Sequence, residues 1–139
     1  MSYLRTALII LAMAFSTLAA GQAKSPYSEL SPPQPTDATG KVEVIEFFWY
    51  GCPHCYAFEP FLVSWSKSLP KEVVLKRVPA IFNEQWGVAA RVFYTLEAIG
   101  EEERLHQAVF DAIHKDENLR ITDESAVAAW LGKHGVDVN

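Results

Sequence analysis

VEVIEFFWYGCPHCYAFEP, residues 42–60, joins an apolar run to a segment that holds both cysteines of the chain. Only two residues separate Cys52 from Cys55, so a disulfide between them closes a very short loop. A structural disulfide removes more entropy from the unfolded chain when its loop is long, which makes a structural role unfavourable here. The pair is therefore interpreted as reactive, as metal-binding, or as accidental.

The same stretch predicts the secondary structure around the cysteines. Residues 42–49 are apolar apart from Glu43 and Glu46, a pattern typical of a central strand that is covered on both faces. Apolar residues recur at helical spacing from Pro53 onward, which predicts a helix that begins at the cysteines. Residues 72–82 form a second strand candidate, so the predicted order is strand, helix, strand.

The remainder of the chain has helical patterns. One covers residues 84–100, a second covers residues 101–115, and Thr122 is predicted to cap a third helix that ends near Gly135. The fold class is therefore predicted as α/β. Four segments are distinguished: a signal peptide (1–23), an extended lead-in rich in Pro, Ser and Thr (24–41), a strand–helix–strand unit with the Cys-Pro-His-Cys motif (42–82), and a helical region (83–139).

The first 23 residues have the layout of a cleavable secretory signal peptide. Arg5 precedes an apolar run from Ala7 to Ala20, and small residues that suit cleavage lie between Ala19 and Ala23. The alternative is a membrane anchor, but the apolar run is shorter than the roughly 20 residues that a membrane-spanning helix needs. Export places the chain in an oxidising compartment, where a cysteine pair tends to be oxidised.

Composition favours a folded, acidic domain. Half of the 139 residues are hydrophobic, which suits a packed core, and the formal net charge is −5. Acidic residues outnumber basic residues by 17 to 12, and no basic stripe marks a nucleic-acid surface. No nucleic-acid partner is therefore predicted.

The Cys-Pro-His-Cys motif suits thiol–disulfide exchange. At a helix start, Cys52 and Cys55 lie on the same face about one turn apart, within the range that a disulfide accepts. The unpaired N–H groups of the helix N-terminus stabilise a thiolate on Cys52, which is the predicted nucleophile, with Cys55 as the resolving thiol. Pro53 suits the first helical turn, and His54 favours the Cys52 thiolate. A stabilised reduced form makes the disulfide a stronger oxidant.

Three other interpretations of the motif compete with exchange. Haem attachment requires a histidine directly after the second cysteine, and Tyr56 stands there. A structural zinc site needs about four ligands, and His54 is badly placed to join the two cysteines. The remaining histidines are interpreted as surface or capping residues of the helical region: His106, His114 and His134. An inert buried pair is the third alternative, and no metal and no cofactor is predicted.

Glu46 is unusual because it lies within an apolar strand, where an unpaired carboxylate is costly and its pKa tends to rise. The functional interpretation is a general base or proton relay that acts through water on Cys55 when a mixed disulfide resolves. The alternative is an edge glutamate that extends to solvent. Lys76 or Arg77 on the second strand is a candidate partner for its charge.

The stretch VEVIEFFWYGCPHCYAFEP resembles the active-site region of the DsbA family, the periplasmic thiol:disulfide oxidoreductases of the thioredoxin superfamily. The resemblance implies a thioredoxin-like fold with an inserted helical domain, in the periplasm of a Gram-negative bacterium. It implies that the Cys52–Cys55 disulfide is donated to exported polypeptides that carry reduced cysteines, with re-oxidation by a membrane protein of the DsbB type. It also implies that Cys52 is the substrate-linked cysteine, that Pro53 and His54 are the tuning dipeptide, and that Glu46 is the buried acid beneath the site.

The chain departs from the family pattern at its C-terminal end. The family returns from the helical insertion through a loop with a cis-proline that faces the disulfide, but no proline occurs after Pro79. We therefore expect residues 42–82 to be the N-terminal half of the thioredoxin-like domain, residues 83–139 to be an incomplete helical insertion, and the C-terminal part of the fold to be missing. Two functional alternatives stay open: an exported reductant or isomerase, and a non-catalytic helical binding module with a relict cysteine pair.

Overall fold

A computed structural model describes residues 25–115 and 119–138 of the chain. The chain divides into two units, residues 1–35 and residues 36–139. In the first unit, the described residues 25–35 contain no helix or strand, and the Ser31–Pro32 peptide bond is cis. The predicted signal peptide lies outside the described residues.

The second unit begins with a parallel strand–helix–strand unit, which confirms the predicted order. Strand β1 (Val42–Phe48) is followed by helix α1 (Pro53–Ser66) and strand β2 (Val73–Pro79). The two strands pair in parallel from Val42 opposite Val73 to Phe48 opposite Pro79. Parallel strands need a crossover connection, and α1 is that connection, with both cysteines at its start.

Three helices follow the second strand. They are α2 (Glu84–Ala98), α3 (Glu102–His114) and α4 (Glu124–Lys133). Gly100 follows α2 with a φ of 75°, which a glycine adopts without strain, and so it ends this helix as predicted. Within the described ranges, no helix combines the length and the apolar character that crossing a membrane requires.

The cap of α4 differs from the prediction. Asp123, rather than Thr122, occupies the N-cap position, and its carboxylate accepts a hydrogen bond of 3.1 Å from the N–H of Ala126. Both residue types favour this position, and the two are adjacent in sequence, so the apolar period of the helix cannot decide between them.

The main core lies between the end of β1 and the three C-terminal helices. Phe48 and Tyr50 are each 1% exposed, and their rings pack edge to face at 5.1 Å. The buried apolar side chains of α2, α3 and α4 surround them: Ala89, Val92, Phe93, Leu96, Leu105, Val109, Phe110, Ala112, Val127, Trp130 and Leu131. The segment directly before the cysteines is thus anchored in the core by its own aromatic side chains.

The prediction that β1 is covered on both faces is wrong for the described residues. The sheet there has two strands, and Ile45 and Phe47 are 41% and 69% exposed. Apolar side chains of α1 are exposed as well, among them Phe58 and Phe61. An apolar strand sequence shows that burial would be favourable, but it does not show which segment supplies the cover.

Candidate active site

A tight turn between β1 and α1 sets the position of the first cysteine. The N–H of Cys52 donates a hydrogen bond of 2.9 Å to the carbonyl of Trp49, which places Tyr50 and Gly51 at the centre of a four-residue turn. A side chain at Gly51 would lie 2.4 Å from the Trp49 ring. That ring is itself stacked on Trp86 at 4.3 Å. A larger residue at the third position of the turn would therefore displace the Trp49 ring from its place against Trp86.

Cys52 is the N-cap of α1, as the sequence predicts. Its backbone is extended, with φ −88° and ψ 113°, and its sulfur accepts a hydrogen bond of 3.4 Å from the N–H of Cys55. Pro53 occupies the first helical turn, where a missing N–H costs nothing. Pro53 and His54 are exposed, whereas both cysteines are partly buried and present as free thiols.

The surroundings of the two thiols move their pKa values in opposite directions. Burial raises the pKa of Cys52, but hydrogen bonds from the Cys55 thiol and from the backbone N–H groups of Cys55 and His54 outweigh it, and the net pKa is lowered. Burial, the hydrogen bond with Cys52 and the charge of Glu46 raise the pKa of Cys55 to about 11. The thiolate of the pair therefore resides on Cys52.

Glu46 is partly buried near the motif, with only 11% of its side chain exposed, so it does not extend to solvent. Burial and the nearby charge of Glu59 raise its pKa to about 7, although Arg77 opposes the shift from 3.4 Å. Of the two candidate partners, Arg77 is therefore the one that faces Glu46. Lys76 forms an exposed ion pair with Asp37 instead.

Arg77 is the centre of a buried charged cluster that the sequence did not reveal. Its guanidinium lies 2.6 Å from Glu59, which is 1% exposed, and 3.6 Å from Glu102. His106 lies 3.7 Å from Glu59 and 3.6 Å from Glu102. One signal was present for Glu59: it follows Cys55 by four residues, so both lie on the inward face of α1.

The prediction that the helical histidines are surface or capping residues is wrong for His106. This side chain is 3% exposed, and its Nδ1 lies 2.9 Å from the hydroxyl of Tyr50. It lies three and four residues before the buried Val109 and Phe110, so it shares their inward face of α3. His114 lies at the end of α3 with its Nε2 2.7 Å from the carbonyl of Tyr50. His134 occupies the C-cap of α4, as predicted.

The described residues contain no group of three or more His, Cys, Asp or Glu side chains that could hold a metal ion. What the residues do form is a parallel β–α–β unit with a Cys-x-x-Cys pair at the N-terminus of its helix. This arrangement defines the class of thioredoxin-like dithiol–disulfide proteins.

Comparison with known proteins gives relatives within that class. The chain is 47% identical over 135 residues to the thiol:disulfide interchange protein DsbA of Pseudomonas aeruginosa, and 49% identical over 111 residues to that of Azotobacter vinelandii. These matches cover 95% and 80% of this chain, and 64% and 51% of the relatives. A scan against protein-family models gives no match.

Solved structures agree with the sequence comparison. The crystal structure of Pseudomonas aeruginosa DsbA matches with a TM-score of 0.73 and 50% identity, over 79% of this chain and 57% of that one. Reduced DsbA1 from Neisseria meningitidis matches with a TM-score of 0.70 and 29% identity, over 82% and 61%. The chain is thus homologous to DsbA proteins, and over the matched residues it has their thioredoxin-like α/β fold with a helical insertion. It spans 64% or less of the length of the curated relatives named above.

Proposed function

We propose that this chain carries the redox-active site of an exported thiol:disulfide interchange protein, which donates the Cys52–Cys55 disulfide to polypeptides with reduced cysteines. One observation carries the proposal: the helix N-terminus lowers the pKa of Cys52, while burial raises that of Cys55 to about 11. A dithiol with one stabilised thiolate is favoured in its reduced form, so its disulfide is a good oxidant.

The exchange proceeds in two substitutions at sulfur. A substrate thiolate attacks Cys52, the Cys52–Cys55 bond breaks, and Cys55 leaves and takes up a proton. A second substrate thiolate then attacks the substrate sulfur of the mixed disulfide, and Cys52 leaves as its stabilised thiolate. The substrate gains a disulfide, and its two electrons remain on the reduced cysteine pair. The low pKa of Cys52 assists the second step because a thiol of low pKa is the better leaving group.

Glu46 is proposed to move the proton that Cys55 requires. A carboxyl group with a pKa of about 7 is present in both protonation states near neutral pH, so it can give and take a proton. Its charge already acts on Cys55, which supports a path between them through water. In this role Glu46 protonates the departing Cys55 during donation and deprotonates it when a mixed disulfide resolves. Pro53 and His54 tune the pair: Pro53 by its place in the first turn, and His54 through its backbone N–H and its exposed imidazole.

The proposed setting is the periplasm of a Gram-negative bacterium, where clients are newly exported polypeptides and a membrane protein of the DsbB type re-oxidises the cysteine pair. Support comes from the DsbA relatives, which belong to Gram-negative species. The oxidising character of the site also requires an oxidant to restore the disulfide after each cycle, since exchange alone leaves the pair reduced.

Equilibration with glutathione tests the function. We expect the Cys52–Cys55 pair to become half reduced at a low ratio of reduced to oxidised glutathione, which defines an oxidant stronger than glutathione itself. The reduced fraction is measured by thiol trapping and mass spectrometry. His54→Ala should need a higher ratio, because it loses the contribution of the imidazole. A wild-type pair that stays oxidised in excess reduced glutathione would indicate the reductant, and a pair that does not exchange would indicate the binding module.

A further inference from the structure

Helix α3 contacts the active-site turn at one residue through two histidines. The buried ring of His106 lies 2.9 Å from the hydroxyl of Tyr50, and His114 Nε2 lies 2.7 Å from the carbonyl oxygen of the same residue. Tyr50 is the second residue of the turn that ends at Cys52. Its side chain and its backbone are therefore both held by the helical region.

The contact of His114 has a defined direction. A carbonyl oxygen can only accept, so Nε2 carries the hydrogen and donates it. The acceptor belongs to the peptide between Tyr50 and Gly51, which is the central peptide of the turn. A central peptide with a fixed carbonyl cannot rotate, and this fixes the direction in which the chain enters α1 at Cys52.

His114 also contacts the far side of the motif. Its ring stacks on Tyr56 with 4.9 Å between the ring centroids and 13° between the planes. Tyr56 directly follows Cys55 and belongs to the first turn of α1. One side chain of α3 therefore bridges the residues that precede and follow the Cys-Pro-His-Cys segment.

We infer that His114 is a positioning residue for the redox site, which holds the turn and the first turn of α1 so that the helix N–H groups point at the sulfur of Cys52. The inference rests on the proposed function, in which the Cys52 thiolate is the reactive species. The hydrogen bond to this sulfur, 3.4 Å from the N–H of Cys55, depends on the direction of that N–H, so a rotation of the turn weakens it. Loss of the His114 donor should therefore destabilise the thiolate.

Two nearly isosteric variants of the full chain test this role. His114→Met keeps a side chain that packs on Tyr56 but has no donor, whereas His114→Gln keeps an N–H donor. The midpoint of Cys52 ionisation is measured from the thiolate absorbance of the reduced chain against pH. We expect His114→Met to raise the midpoint by about 0.4 to 1 pH unit, which is the net value of one hydrogen bond, and His114→Gln to restore it.

His134→Met is the matched control. His134 also ends a helix, stacks on an aromatic ring at 3.8 Å, and lies 2.9 Å from a backbone carbonyl, but its partner for both contacts is Trp130 of its own helix. This variant should leave the Cys52 midpoint unchanged. Urea unfolding of all three variants measures any loss of stability. His134→Met loses a comparable helix-end contact, so a shift of the Cys52 midpoint that occurs in His114→Met alone separates positioning from stability.

The inference is overturned if His114→Met leaves the midpoint where the wild type has it, or if His114→Gln shifts it as far as Met does. The proposed function fails in a different way. In that case the wild-type chain itself would show no lowered midpoint for Cys52, whatever residue occupies position 114.

Discussion

Cys55→Ser is expected to form a stable mixed disulfide through Cys52, whereas Cys52→Ser should react more slowly through Cys55. Each variant loses the influence of the thiol that it replaces, but burial and the charge of Glu46 still raise the pKa of Cys55, and the backbone N–H groups of Cys55 and His54 still lower that of Cys52. A thiolate of higher pKa is the better nucleophile. On a logarithmic scale, this offsets about half of the rate difference that follows from the thiolate fractions. The partial burial of Cys55 slows its attack further.

The measurement is the rate at which each reduced variant forms an adduct with a disulfide-bonded peptide, followed by mass spectrometry of the intact chain. The double variant Cys52→Ser/Cys55→Ser gives the background. The Cys55→Ser adduct should persist because no second thiol is present to release the peptide. Faster adduct formation by Cys52→Ser would reverse the assigned roles of the two cysteines.

Arg77→Met is expected to lower the free energy of unfolding by about 3 kcal/mol or more, the cost of removing one partner from a buried ion pair. The guanidinium lies close to three carboxylates, Glu46, Glu59 and Glu102, of which Glu59 is almost fully buried. Without the cation, these carboxylates must be buried as charges or must bind protons. A loss of this size is a large fraction of the stability of a small domain.

The free energy of unfolding that Arg77→Met loses should depend on pH, and the direction of that dependence follows from the pKa of Glu46. The folded-state pKa of Glu46 lies at about 7, above its ordinary value of 4.5, so the folded chain binds more protons than the unfolded chain between these values. Stability from this group is therefore present at pH 4 and declines as the pH rises through 7. Removal of Arg77 strengthens this trend, so urea unfolding should show a larger loss at pH 8 than at pH 5.

Two further variants control the Arg77 experiment. Lys76→Met removes a cation from the adjacent position of β2, but the partner there is the exposed Asp37, so little change is expected. Arg77→Met/Glu59→Gln removes one of the uncompensated charges and should recover part of the lost stability. If Arg77→Met and Lys76→Met unfold at the same urea concentration, the buried cluster does not contribute in the way described.

The parts of this site that the sequence predicted depend on short-range patterns. The spacing of Cys52 and Cys55 places both sulfurs at one helix start, and the apolar neighbours of Glu46 indicate that its side chain is buried. The strand–helix–strand order follows from periodicity in the same way. Each of these features is decided by residues within a few positions of one another.

The parts that the sequence did not predict are contacts between distant elements. Glu46, Glu59, Arg77 and Glu102 come from four different elements, and no local pattern shows which acids a single cation will meet. His114 and Tyr50 are 64 residues apart, and a histidine at a helix end looks like a cap whether or not it reaches another segment. Such contacts depend on how α1 and α3 pack.

The central claim is that the start of α1 makes Cys52 the reactive thiol of an exchange site. The most direct test is the alkylation rate of each cysteine in the reduced wild-type chain, measured against pH by peptide mass spectrometry. Cys52 should be alkylated first near neutral pH, with a midpoint below that of an ordinary thiol, and Cys55 should react only as the pH approaches about 11. Equal midpoints for the two cysteines, or faster alkylation of Cys55 near neutral pH, would contradict the claim.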